Sequence, residues 1–288
     1  MYLFLAAILS GVIPPIATRF VAGETAPEAL EHTRERNDEG VGVILNLLGE
    51  HYAEREDADA DAETYCTLVD DLAGTDLRAC LSVKPTQLGL DVSEAVFREN
   101  LARVVEHAAA HDRFVWLDME DHATTDATLD AYVDHAREHG NVGVCVQANL
   151  RRTHGDLERL AGLPGKVRLV KGAYDPPREI AYREKERVNE AYRDLLAYMF
   201  EAFGDGIAVG SHDPAMIAEA ARLHDEYGTP YGIQMLMGVR EDAQVELAGR
   251  REVWQYAPYG EKWLSYFYRR VMERTENATF ALRAVVGG

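Results

Sequence analysis

Eight short apolar runs, each followed by a longer amphipathic stretch, constrain this chain more than any other feature. The runs are "GVGVILNLL" (40–48), "RACLSVK" (78–84), "RFVWLDM" (113–119), "VGVCVQA" (142–148), "KVRLVKG" (166–172), "GIAVGSH" (206–212), "YGIQMLM" (231–237) and "EVWQYAP" (252–258). Their near-continuous β-branched and apolar content suits strands buried on both faces, as parallel sheets require. The intervening segments "SEAVFRENLARVVEHAAAH" (93–111) and "EKERVNEAYRDLLAYMFEAF" (184–203) carry a helical period, and Ser93 is placed to cap the first. Alternating β and α units in 288 residues predict an α/β fold of the (β/α)₈ TIM-type barrel class. A doubly wound sheet would need a Gly-rich phosphate turn after an early strand, and none is present. With 47% hydrophobic residues, no linker and no low-complexity stretch, one domain over 1–288 is expected: an N-terminal helical cap (1–39), then barrel and C-terminal helix (40–288).

Charge excludes one class of partner. Thirty Lys and Arg against forty-nine Asp and Glu leave a net charge of −19, so nucleic acid has no basic footprint to hold. The acid is dispersed, as in "HYAEREDADADAETY" (51–65), which suits either a halophilic, high-salt cytosol, where like-charge repulsion is screened, or plain solubility. Three cysteines without paired spacing argue against disulfides and fit a cytoplasmic protein. The apolar N-terminus "MYLFLAAILSGVIPPIATRF" lacks a basic leader and is broken by Pro14-Pro15 before a spanning length is reached. It reads as a short capping helix, with a membrane-surface contact as the alternative.

In a barrel of this kind chemistry gathers at the carboxyl ends of the strands. The polar residues there are Lys84, Asp118, Glu120, Gln147, Lys171, His212 and Gln234. Arg168 lies inside a strand otherwise reading "VRLV", where its charge must face the barrel mouth or pair with an acid. Each has a plainer role open to it: Lys84 with Asp118 as a structural ion pair, Gln147 as a partner for backbone groups, His212 as a satisfied core histidine. No H-x-H, H-E-x-x-H or Cys cluster is present, so no metal is expected, and no nucleophile elbow appears. Lys84 and Lys171 leave a Schiff-base aldolase open, and a non-catalytic amino-acid-binding barrel is a second alternative. Near the C-terminus, Tyr266, Arg269, Arg270 and Glu273 lie three and four positions apart and so share one helix face. Two guanidinium forks beside a ring suit a small carboxylate with a ring or short hydrocarbon, or else form a solvated salt-bridge face.

Ordered motifs along most of the chain carry a resemblance: "RFVAGET" (19–25), "LLGE" (47–50), "SVKPTQLG" (82–89), "LDMED" (117–121), "VQA" (146–148), "VRLVKGAY" (167–174), "SHD" (211–213), "QMLMG" (234–238) and the closing Y-A-P-Y-G…R-R-x-x-E. With these the chain resembles the proline dehydrogenase family of flavoenzymes, in its monofunctional form. The resemblance implies a distorted barrel whose last helix sits over the mouth. It implies that Arg269 and Arg270 bind the proline carboxylate with Lys84 nearby, and that Tyr256, Tyr266 and Leu236 wall the ring. Asp118 would pair near Lys84 and the flavin edge, and Glu273 would orient an arginine. FAD would lie at the strand ends, with Arg168 at the isoalloxazine and Gln147, Lys171, Gly172, Ala173, His212 and Gln234 around it. L-proline would be oxidised to Δ1-pyrroline-5-carboxylate and the electrons passed to a membrane quinone, which would give the apolar N-terminus a place at the inner membrane surface. Two departures stand out: Asp175-Pro176-Pro177 follow K-G-A-Y where many relatives have Trp, and strand six ends in "GSHD" rather than Ala-Thr-His.

Overall fold

The computed structural model describes residues 18–264 and residue 266. Its strands are β1 (Gly42–Leu47), β2 (Ala79–Val83), β3 (Val115–Leu117), β4 (Val142–Gln147), β5 (Lys166–Val170), β6 (Ile207–Gly210), β7 (Tyr231–Leu236) and β8 (Glu252–Tyr259). All neighbours pair in parallel, and β8 returns to β1, with Ile44 opposite Tyr256, so the sheet closes into a barrel in chain order. Every apolar run in the sequence became one strand, as the expected α/β barrel requires.

Helix α1 (Ala26–Asp38) precedes the barrel. Helices α2 (Arg55–Ala73), α3 (Glu94–Ala110), α4 (Thr125–Glu138), α5 (Thr153–Leu160), α6 (Lys185–Ala202), α7 (Pro214–Tyr227) and α8 (Glu241–Ala248) each follow a strand. The Ser93 side chain accepts a hydrogen bond from the Val96 N–H at 3.2 Å, so α3 begins where the capping residue placed it. Residues 22 and 23 are fastened to the far end of β8: Ala22 N–H donates to the Pro258 carbonyl at 2.7 Å and Gly260 N–H to that of Gly23 at 2.9 Å. The first 17 residues of the expected cap, and with them most of the apolar stretch, lie outside the described residues.

The two-residue alternation of strand side chains divides the barrel into two cores. Odd positions such as Val43, Leu45, Leu81 and Val83 on β1 and β2 face the helices and merge with the apolar helix faces into the main core. The opposite positions, Ile44, Cys80, Trp116 and Ala208, form a second cluster inside the barrel, with Phe114, Trp254 and Tyr256 against it. Two indoles there need space across from them. A Cβ on Gly42 would come within 2.5 Å of the Trp254 ring, and one on Gly143 within 2.6 Å of the Trp116 ring and 3.0 Å of the Lys166 carbonyl. Small residues on one strand thus admit large ones on the next, which keeps the interior at solid density.

The variant Gly143→Ala should therefore lose about 1–3 kcal/mol, the range for overpacking a tight core. Gly74→Ala, with nothing within 4 Å of the added carbon, serves as the control and should change little. Thermal midpoints of the two variants against the parent check this.

Candidate active site

Arg168 is the residue that the strand pattern could not accommodate without a partner. It points into the barrel from β5 and is only 4% exposed. Its Nη2 donates to Asp118 Oδ1 and its Nη1 to Gln234 Oε1 at 3.0 Å. The guanidinium lies 5.0 Å from the Trp116 ring centroid and 5.7 Å from that of Tyr256. Both alternatives open to it in the sequence are realised together: it faces the mouth and it pairs with an acid.

Asp118, one residue beyond β3, collects the other contacts. Its Oδ1 also accepts from Ser82 Oγ at 2.8 Å, and its Oδ2 from the Tyr256 hydroxyl at 2.6 Å. Lys84 Nζ lies 3.7 Å from Oδ2 and donates to Asn46 Oδ1 at 3.3 Å. Side chains from β2, β5, β7 and β8 thus converge on this largely buried carboxylate and its guanidinium, while Asn46 of β1 holds Lys84 beside them. Burial pushes the Asp118 carboxyl up, but Arg168, Lys84 and the Tyr256 and Ser82 hydroxyls together outweigh it and hold it below the ordinary carboxylate value. Burial, then the adjacent Asp118 charge, pushes the Tyr256 phenol well above its usual range, so it stays protonated as a donor. Burial alone would depress the Arg168 guanidinium; surrounding groups, Asp118 among them, hold it above its ordinary value.

A cavity of about 510 Å³ opens above this cluster. Lys84, Asp118, Arg168, Gln234, Leu236 and Tyr256 line one part of it, as do Lys171, Gly172, Ala173 and His212 at the ends of β5 and β6. Tyr266 closes it from the chain beyond β8 and packs against Phe20, Val21, Leu48 and Trp263. Trp263 Nε1 donates to Glu24 Oε1 at 2.9 Å, so the chain just beyond β8 is held by the N-terminal segment. Arg269, Arg270 and Glu273 lie outside the described residues.

The remaining expected residues separate by their contacts. Lys171 Nζ pairs with Asp213 Oδ2 at 2.7 Å, and that bond is the main reason the Asp213 carboxyl sits below its ordinary value. His212 Nε2 accepts from the Leu236 N–H at 2.7 Å, which ties the end of β6 to that of β7 and places the neutral ring's proton on Nδ1. Gly172 has φ +106°, and a Cβ there would strike Asn149 Oδ1 at 2.3 Å, so only glycine carries the chain past this point. Gln147 is different: it is not among the lining residues, and its Nε2 donates to the Glu120 carbonyl at 3.0 Å, a bracing contact. Glu120 turns away as well, accepting from Thr86 N–H and Oγ1 at 2.8 Å each, and burial pushes its carboxyl up. Asp118 and Glu120, two positions apart, diverge because β3 ends at Leu117. Ser82, Asn46 and Cys145 also face the site, and sequence reasoning missed them. Ser82 and Asn46 were detectable as polar residues at inward positions of otherwise apolar strands.

A closed (β/α)₈ barrel with a buried, charge-rich cavity at the carboxyl ends of its strands defines a TIM-barrel enzyme. The sequence profile of the proline dehydrogenase family matches residues 29–283. Proline dehydrogenase 1 of Bacillus subtilis is 34% identical over 276 residues, which cover 94% of this chain and 90% of the relative. The proline dehydrogenase of Deinococcus radiodurans is 32% identical over 282 residues, covering 95% and 91%. Among solved structures, proline utilization A from Bdellovibrio bacteriovorus inactivated by N-propargylglycine superposes with a TM-score of 0.84 at 23% identity. It is matched over 95% of this chain but only 34% of its own length, and it supports the fold. The chain belongs to the proline dehydrogenase family, and it is an oxidoreductase; aldolase and pure-binding readings are not favoured.

Replacing Asp118 by Asn leaves the Arg168 charge buried without its counter-ion, which should cost about 3–5 kcal/mol near neutral pH. Because the folded-state pKa of Asp118 is lowered, its contribution is present above the unfolded carboxylate value and is lost as pH falls through the folded one. The difference between parent and Asp118→Asn should therefore shrink below about pH 4. Urea unfolding at neutral and acidic pH measures it.

Proposed function

We propose that this chain is an FAD-dependent proline dehydrogenase that oxidises L-proline to Δ1-pyrroline-5-carboxylate, the first step of proline catabolism. The observation that carries the reading is Arg168. Its guanidinium, fixed by Asp118 and Gln234, lines a cavity large enough for a planar ring system and a small substrate. A fixed cationic donor in a cavity wall suits an electron-rich acceptor, and a flavin ring offers acceptors along its edge. Arg168, Lys171, Gly172, Ala173, His212 and Gln234 would hold the cofactor, with Gln147 behind them bracing the β3–α4 loop. When bound, FAD supplies the centre that accepts hydride from the ring carbon next to nitrogen.

This chain's own residues bind, orient and exclude water. Arg269 and Arg270 take the substrate carboxylate as bidentate forks, with Lys84 adding positive charge and Glu273 fixing one guanidinium. Tyr256, Tyr266 and Leu236 enclose the pyrrolidine body. Asp118 holds Lys84, Arg168 and Tyr256 in place at once, so the positive end of the site keeps one arrangement. No side chain need remove a proton from carbon if the substrate amine arrives neutral. Turnover at limiting substrate should therefore rise from neutral to alkaline pH as proline loses its ammonium proton, and a flat profile would count against this.

Electrons leave to a quinone, and residues 1–17, apolar and ahead of the strap on β8, are the segment suited to a bilayer surface. Among the described residues no helix is long and apolar enough to cross a membrane. We read the protein as cytoplasmic, with its net charge of −19 suited to high salt. Steady-state assays with a soluble quinone test the substrate clamp. Arg269→Met and Arg270→Met should each raise KM for proline about tenfold or more, because a charged hydrogen bond contributes about 1.5–3 kcal/mol. Unchanged KM in both variants would contradict the clamp.

A further inference from the structure

On the outer wall of the barrel, far from the mouth, the last turn of α3 faces α2. His107 lies in that last turn and His111 is the C-cap residue four positions on, their ring centroids 5.1 Å apart. Both direct Nε2 at Asp70 Oδ1 on α2, at 2.8 and 3.5 Å. The three ligand atoms lie within 4.8 Å of one another. Ligands at about 2.0–2.2 Å from one ion are held about 3–3.5 Å apart in tetrahedral geometry, so a small rotation of the carboxylate suffices.

The geometry points to a divalent transition-metal site formed by Asp70, His107 and His111, one that clamps α2 to α3. Two imidazoles and one carboxylate match the ligand preference of zinc, nickel, cobalt and copper, whereas calcium and magnesium demand a shell of oxygens. The side chains remain 58%, 33% and 36% exposed, which leaves coordination positions for water and a path of entry. The frame around them is already set. Arg113, just beyond α3, donates to the Leu72 and Thr75 carbonyls at the end of α2 and to that of Leu77 at 2.9 Å, fixing the two helix ends against each other. The carbonyl end of α3 adds negative potential at His107 and His111, and the net charge of −19 draws cations to the surface. No linear motif announces the triad, because its third member comes from a different helix.

Titration of the flavin-loaded, full-length enzyme with ZnCl₂ at neutral pH, followed by calorimetry and metal analysis after dialysis, tests the site. One ion per chain is expected, with a rise in thermal midpoint and no change in proline turnover. MgCl₂ should give neither. His107→Ala/His111→Ala should weaken zinc binding at least about tenfold, by analogy with the loss on removing even a supporting partner, and should abolish the thermal shift. Asp70→Asn, which keeps the side-chain shape, should weaken it in the same direction and guards against a folding defect in the double variant. Absence of stoichiometric binding, or binding and thermal shift that survive in both variants, would overturn the proposal.

Discussion

The ion pair between Asp118 and Arg168 is the contact around which the barrel interior is organised. A guanidinium in the middle of β5 would be ruinous alone, since taking a charge from water into a low-dielectric interior costs far more than a fold of this size can spare. Here it is matched by a carboxylate that itself accepts from Ser82 and Tyr256 and lies beside Lys84. The network is cross-barrel. Three of its hydrogen bonds, Arg168 to Asp118, Arg168 to Gln234 and Tyr256 to Asp118, join strands that are not neighbours in sequence, so the charges are not all satisfied until those strands have assembled. The same network places a dense cluster of fixed charge at the mouth, where the proposed substrate carboxylate and cofactor would be recognised.

Below that layer the interior is apolar and filled by exchange of large for small. Trp116 lies opposite Gly143, and Trp254 opposite Gly42. The Trp116 indole forms one wall of the guanidinium's surroundings. Charged layer and packing layer are thus continuous: the ring that fills the core also shields the buried charge beside it from water.

The strands were legible because parallel strands buried on both faces leave long apolar runs, and all eight runs became strands. Arg168 and Asp118 were legible for the converse reason, as charges where the pattern allows none. Gln147 was placed at the strand end correctly but its amide is spent on the Glu120 carbonyl, because the direction of a terminal amide depends on a loop that periodicity does not describe. Ser82 and Asn46 escaped attention because neutral side chains in apolar runs stand out less than charges, although their inward position follows from the two-residue period. Asp70 with His107 and His111 was invisible, since the contact depends on how α2 and α3 pack.

A flavin held above Arg168 and reduced by proline at the barrel mouth is the central claim. The visible spectrum of the purified protein, recorded without oxygen before and after addition of L-proline, tests it most directly. It predicts a yellow protein with flavin absorbance that bleaches on adding proline. A colourless protein that takes up no FAD, or a flavin band that proline leaves unchanged, would contradict it.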